Sequence, residues 1–431
     1  MGTTEPLTKG AGGDHPPAGI SKERSPFGRL TEVAVTIRPI LVAVSILILL
    51  SGGPAVAAEI KIGLFADLSG ATSGVGRPYA EGVQDAAKYI NESGGIGGDT
   101  LQPVTADICH GRQGPLAAYA RLTRTEHIVA LLSWGAGVVE ALAAQAAEDK
   151  IPTLSASAAR LWDPKIAPYC FFASSDFVIR AMAALRHFKA AWSQARPPRL
   201  AMIYPNRPYG LDPINTVREF ALRQGFELAV EENVDLDATD ALEQIARLKE
   251  EAPDFVWIGG SANSVAVVLR DAAATGLTAT ILSDVWGAPD YQPGSADSVV
   301  SAGRAEAEGA YLLSPVVPFG QDVPGMKIIE RFADHAQRPS HYIRGFATML
   351  VLAKAIELAQ YSGPVTGQSV KAALESLRDF DPLGLTPPVS FSPEDHRGVL
   401  AVMLYRFVNG KPVLAAVPGL PRPVEGAGSM P

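Results

Sequence analysis

Residues 59–91 read EIKIGLFADLSGATSGVGRPYAEGVQDAAKYIN, and this stretch decides the fold class. Ile60 to Phe65 is a short run of apolar and β-branched residues, which predicts a strand. Ser69 to Gly76 reads as a Gly/Ser loop, and from Tyr79 to Asn91 the spacing sets Val83, Ala86, Ala87 and Ile90 on one helical face. Strand, loop and helix make one βα unit. Repetition of that unit gives a parallel sheet covered by helices.

The chain does repeat it. Strands are expected at Val104 to Ile108, Ile128 to Leu132 and Ile151 to Leu154, with helices at Pro115 to Thr125 and Val138 to Glu148. Arg196-Pro197-Pro198 then interrupts the periodicity and marks a break. A second series follows in the same order: strands at Leu200 to Tyr204, Leu228 to Val230, Phe255 to Ile258 and Ala279 to Ser283, alternating with helices at Leu211 to Arg223, Ala241 to Glu251 and Val265 to Thr275. Two α/β domains follow. After a strand at Tyr311 to Pro315 come helices at Met326 to Ala336, His341 to Ala359 and Ser369 to Leu377, too many for one further βα unit. Pro387 to Val389 and Val399 to Phe407 return to strand, and the tail from Pro418 reads as loose.

Composition narrows the class. The 431 residues are 47% apolar and 19% charged, with 41 Gly and 34 Pro, as in a globular chain rather than a low-complexity one. The net charge of −8 and the scatter of basic residues exclude a nucleic-acid footprint. Ile40 to Leu50 reads ILVAVSILILL, preceded by Arg29 and Arg38 and followed by Ala55-Val56-Ala57, which is the basic, apolar, small-residue order of a secretory signal peptide. The apolar run is well short of the roughly 20 residues that cross a membrane. Cleavage is expected near Ala57 or Ala58, and the absence of a Cys after the run closes lipid attachment. Cys109 and Cys170 form either a disulfide or two buried thiols.

Chemistry-bearing motifs are few. Gly94-Gly95-Ile96-Gly97-Gly98 lies between a helix and a strand, the wrong order for a phosphate cradle, and reads as a turn. No HExxH, no metal-like His/Cys spacing and no Gly-x-Ser-x-Gly elbow occurs, so neither a metal, nor a cofactor, nor an enzyme is expected. Ser133-Trp134-Gly135-Ala136-Gly137 ends a strand and opens a helix, where unpaired N–H groups and a Ser hydroxyl suit a carboxylate. Ser155-Ala156-Ser157-Ala158 ends the next strand. Ligands of open α/β sheets gather at the carboxyl ends of strands, so two adjacent Ser-bearing loops are a candidate site. Pro208-Tyr209-Gly210 and Asp284-Val285-Trp286 occupy the same edge of the second domain, where an acid suits an ammonium and aromatic rings suit an apolar body.

Glu59-Ile60-Lys61-Ile62-Gly63-Leu64, Asp67-Leu68-Ser69-Gly70, Ile90 to Gly98, Lys150-Ile151-Pro152 and Asp254 to Gly260 together resemble the leucine/isoleucine/valine-binding protein family, the periplasmic substrate-binding proteins of ABC uptake systems. The similarity runs in order from Glu59 to Val408, and the Asn-x-x-Gly-Gly-Ile turn at Asn91 is its most specific part. The resemblance implies two doubly wound α/β lobes joined by a three-strand hinge. It divides the chain into a signal peptide (1–58), lobe 1 (59–190 plus about 315–385), lobe 2 (191–314 plus about 386–408) and a loose tail (409–431).

It also implies a monomer in the periplasm that carries an amino acid, branched-chain or related, or a similar small carboxylate to a membrane permease. Ser133, Trp134, Gly135, Ala136, Ser155, Ser157 and Ala159 would hold the ligand carboxylate, Asp284 would meet the α-ammonium, and Tyr209 and Trp286 would line the cleft. Some positions depart from the family pattern. Val75 stands where a Tyr is common, Ala159 where a Thr hydroxyl is frequent, and Trp134 and Trp286 where smaller residues are usual. These changes keep aromatic acids, amides or urea open as ligands, and a sensory role toward a membrane receptor is the alternative to transport.

Overall fold

The computed structural model describes residues 57–70, 72–108, 113–155, 161, 163–206, 211, 214–285, 306–332 and 337–422. Its first sheet holds β1 (Glu59–Ala66), β2 (Thr100–Asp107), β3 (Ala130–Ser133), β4 (Thr153–Ser155) and β5 (Cys170–Phe172) in the order β2-β1-β3-β4-β5, every pair parallel. Three helices alternate with them: α1 (Ser73–Glu92), α2 (Gln113–Arg121), which runs into a π turn at Leu122–Glu126, and α3 (Ala136–Asp149).

The second sheet contains β6 (Arg199–Tyr204), β7 (Glu227–Asn233), β8 (Phe255–Gly260), β9 (Thr280–Val285), β10 (Tyr311–Ser314), β11 (Met403–Val408) and β12 (Lys411–Ala416), ordered β12-β11-β10-β9-β8-β6-β7. Five of its strands, β7-β6-β8-β9-β10, repeat the parallel order of the first sheet, and β11 and β12 extend the far edge antiparallel. The expected pair of doubly wound α/β lobes is therefore present.

Helices α4 (Phe177–Ala190), α5 (Ile214–Arg223), α6 (Leu242–Glu251) and α7 (Ala262–Thr275) belong to the second half, and α8 (Pro324–Phe332), α9 (Ser340–Ser362) and α10 (Gly367–Ser376) follow β10. The chain passes between the sheets after β5, after β10 and again before β11. Helix α9 returns to the first lobe and packs along α1 so closely that a Cβ on Gly82 would lie 2.0 Å from the Tyr342 carbonyl oxygen, and one on Gly345 2.1 Å from that of Tyr79. Glycine at both positions is what permits this backbone-on-backbone crossing.

Several details differ from the sequence reading, among them Pro387 to Val389, which forms no strand and only a single bridge from Val389 to Phe380. Helix α1 starts at Ser73 and runs through Pro78, inside the expected loop. The Asp67 carboxylate accepts hydrogen bonds from the N–H groups of Gly70 and Thr72 (2.6 and 2.9 Å) and the Thr72 hydroxyl (2.6 Å), fixing the turn that launches the helix. Residues Cys170–Phe172, with no periodic signal of their own, form β5, and the chain past Val408 forms β12 rather than a tail. Helix α4, read as the end of the first lobe, buries Ala181 to Leu185 in one cluster with Leu200, Leu282 and Leu313 of the second sheet. Cys170 is a buried free thiol, pushed up to about 12 by burial; Cys109 lies outside the described residues. So does the predicted export signal, apart from Ala57 and Ala58.

Candidate functional site

Sheet register brings the two Ser-bearing loops side by side. Phe65 of β1 pairs with Ser133 of β3, Ser133 with Ser155 of β4, and Ser155 with Phe172 of β5, so the two Ser residues are neighbours at the carboxyl edge. This edge lies next to the β1/β3 switch point, where the strand order reverses and a crevice opens. The Trp134 N–H donates to the Phe65 carbonyl there at 2.8 Å. Gly135 then turns with φ +98° and opens α3, whose first residue is Ala136. No L side chain adopts that φ comfortably, so the loop needs its glycine. No side chain caps α3 at Gly135 among the described residues, and a helix start leaves its first N–H groups without intrahelical partners.

Ser133 is fully buried, and among the described residues its hydroxyl donates only a long contact of 3.5 Å to the Trp134 carbonyl. Trp134 itself is half-buried between Tyr79 (ring centroids 5.5 Å apart) and His341 (5.0 Å, edge-on), forming an aromatic wall from three separate elements. Trp134 and Gly135 also line a cavity of about 490 Å³ together with Asp67, Thr72, Ile108 and Pro115. That size falls in the range of small-molecule pockets.

Asp284, at the end of β9, is fully buried. Its Oδ1 accepts hydrogen bonds from Nε and Nη2 of Arg180 at 2.9 and 2.6 Å, while Nη1 of Arg180 donates to the Ser175 carbonyl at 2.7 Å. Burial pushes the Asp284 carboxyl up to about 6, against the pull of Arg180. Arg344 of α9, within electrostatic reach of Arg180, Asp284 and Tyr79, is pushed down to about 10 by burial and by the neighbouring guanidinium. Asp176 caps α4 by accepting from the Ile179 N–H at 2.7 Å. The side chains of Ser174 and Ser175 are buried without a hydrogen-bond partner among the described residues.

The predicted site residues thus fall into two groups. Ser133, Trp134, Gly135, Ala136 and Ser155 gather at one edge, and Asp284 lies at the matching edge of the other sheet. Ser157, Ala159, Tyr209 and Trp286 lie outside the described residues. Sequence reasoning did not single out Tyr79 and His341, which pack on Trp134, or Arg180 and Arg344, which act on Asp284. A buried Arg inside the apolar stretch of α4 was the available signal for Arg180. No group of His, Cys, Asp and Glu able to hold a metal occurs among the described residues, and no helix there is long and apolar enough to cross a membrane.

Two parallel α/β lobes linked by three chain crossings, with Ser-bearing strand ends facing a crevice, define a type I periplasmic binding protein. Residues 59–412 match the model of the periplasmic binding protein family, and the chain belongs to that family. It is 22% identical to Leu/Ile/Val-binding protein homolog 1 of Brucella suis over 75% of this chain and 84% of the relative. Among solved structures it resembles an ABC transporter substrate-binding protein of Aeropyrum pernix (26% identity, 86% of this chain, 98% of that one, TM-score 0.69). A branched-chain amino acid ABC transporter protein of Thermus thermophilus with bound valine is similar in fold (22% identity, 84% and 96% covered, TM-score 0.69).

Proposed function

We propose that this protein is the extracytoplasmic substrate-binding component of an ABC-type uptake system and holds a small carboxylate, an amino acid or a related acid, between its two lobes. The observation that carries this reading is the register of Ser133 and Ser155 on adjacent strands beside the N-terminus of α3. Hydroxyls and unpaired backbone N–H groups converging on one crevice suit an anion. Ser133, Trp134, Gly135, Ala136, Ser155, Ser157 and Ala159 would form the first-lobe side of the site, and Tyr209, Asp284 and Trp286 the other. The Leu/Ile/Val-binding relative and the similar structure with bound valine support a ligand of amino-acid size.

In this reading residues 1–58 export the chain to the periplasm, and the monomer delivers its ligand to a membrane permease. Binding favours the closed arrangement because only there does the ligand touch both lobes. Small-angle scattering tests this: a tight binder should reduce the radius of gyration, and an unchanged curve with a saturating ligand would sink the closure mechanism. The wall of Trp134, Tyr79 and His341 favours an aromatic acid or amide as a second reading. Thermal shift against aliphatic amino acids, aromatic acids, amides and ureas separates the two, since a ligand at about a hundred times its Kd adds roughly 2.7 kcal/mol. Co-purification with a permease rather than a sensor kinase separates transport from sensing.

A further inference from the structure

We infer that the ligand of this cleft is a carboxylate without an α-ammonium group, because Arg180 holds the acid that such an ammonium would need. The inference rests on the proposed function above and narrows its substrate class. Asp284 is the acid that the second lobe sets at the carboxyl edge of its sheet, and both of the shortest contacts to its Oδ1 come from one guanidinium. That guanidinium has no freedom to withdraw: its third nitrogen is tied to the Ser175 carbonyl, and its side chain is only 4% exposed. The pair is already neutral.

A ligand ammonium arriving at Asp284 would set a second cation beside Arg180, with Arg344 close by as a third, in a site shielded from water. Asp176 is the further acid beside this pair, and its carboxylate is engaged at the start of α4; of the two carboxylates along the cavity by Trp134, Asp67 is taken up by Gly70 and Thr72 and Glu140 is exposed to solvent. One capacity remains open. Oδ2 of Asp284 is buried without a hydrogen-bond partner among the described residues. A neutral donor, such as a hydroxyl, satisfies that oxygen without adding charge, whereas an ammonium satisfies it only against the repulsion of Arg180. The carboxylate end of the ligand belongs at the other lobe, by Ser133 and Ser155, where the helix N-terminus favours negative charge. An unsubstituted or 2-hydroxy acid fits both ends.

Calorimetric titration of the intact chain with matched sets tests this without any variant. One set is L-leucine, 2-hydroxy-4-methylpentanoate and 4-methylpentanoate; the other is L-phenylalanine, phenyllactate and 3-phenylpropanoate. The expected result is that the best amine-free member of a set binds at least ten-fold more tightly than its amino acid. Equal or tighter binding of the amino acid overturns the inference and leaves the proposed function standing. Binding confined to uncharged amides or urea also overturns it, since no carboxylate is then required. Heat from none of these ligands, together with no thermal shift across the wider panel, overturns the inference and the proposed function together.

Discussion

Arg180 and Asp284, 104 positions apart, meet through two N–H···O contacts to a single carboxylate oxygen at a place where both side chains are buried. One residue sits on the helix that follows the first chain crossing, the other on the end of a strand in the second sheet. Their contact joins the first crossing to the second lobe.

Breaking that pair is expected to be costly. Asp284→Asn leaves a buried guanidinium with its charge uncompensated and should destabilise the fold by about 3–5 kcal/mol. Arg180→Met should do likewise from the other side, while the two changes together should cost less than their sum. Urea unfolding of both single variants and the double variant measures this cycle, and strict additivity would show that the pair is not coupled.

The crossing of α1 and α9 gives a second prediction. Gly82→Ala and Gly345→Ala each drive a methyl group into a backbone carbonyl that has no rotamer to escape through. Each should cost about 3 kcal/mol and lower the melting temperature by several degrees. Gly94→Ala serves as the contrast, since φ +106° strains it but nothing lies within 4 Å of the added carbon. A melting temperature unchanged in the Gly82 variant would contradict the close approach.

His396 predicts a pH dependence of stability. Its ring is stacked on Phe171 at 3.8 Å, with Nδ1 2.9 Å from the Cys170 carbonyl and Nε2 3.1 Å from Glu375. Burial lowers its pKa below the ordinary value, outweighing the pull of Glu375. The unfolded chain therefore binds this proton more readily than the folded one, so the contribution is full above about pH 6.5 and is lost as pH falls below it. The urea midpoint of the wild type should drop between pH 7 and pH 5, and His396→Gln should flatten that part of the profile. An identical slope in both proteins would assign the effect to other groups.

Ser133→Ala tests the anion end of the site. The hydroxyl contributes little to the fold through its 3.5 Å contact, so the melting temperature should hold. Affinity for a bound carboxylate should fall by at least roughly ten-fold, the worth of one hydrogen bond to a charged group at the lower end of its range. A variant that binds as tightly as the wild type would remove Ser133 from the site.

The parts of this fold that repeat locally were readable. Ile60 to Phe65, Phe255 to Ile258 and the helices between carry their own periodicity, and the Ser133 and Ser155 loops follow once strand order is inferred. Residues whose role depends on distant partners were not. Arg180 reads as one charge in an apolar helix until Asp284 is brought to it, and Arg344 as an ordinary helical cation until α9 returns to the first lobe. β5 is three residues long, too short for alternation to show, and exists because β4 offers it an unpaired edge. The early start of α1 depends on Asp67, whose hydrogen bonds no local pattern announces.

The Gly82–Tyr342 crossing also sets the order in which a growing chain can acquire its shape. The first five strands are complete by Phe172, yet the helix that covers α1 is not finished until Ser362. A polypeptide still being synthesised carries the apolar flank of α1 uncovered for about 250 residues, from Glu92 to the arrival of Tyr342. The first lobe is thus the earliest to begin and among the last to close, and the chain stays threadable until most of its length has been made.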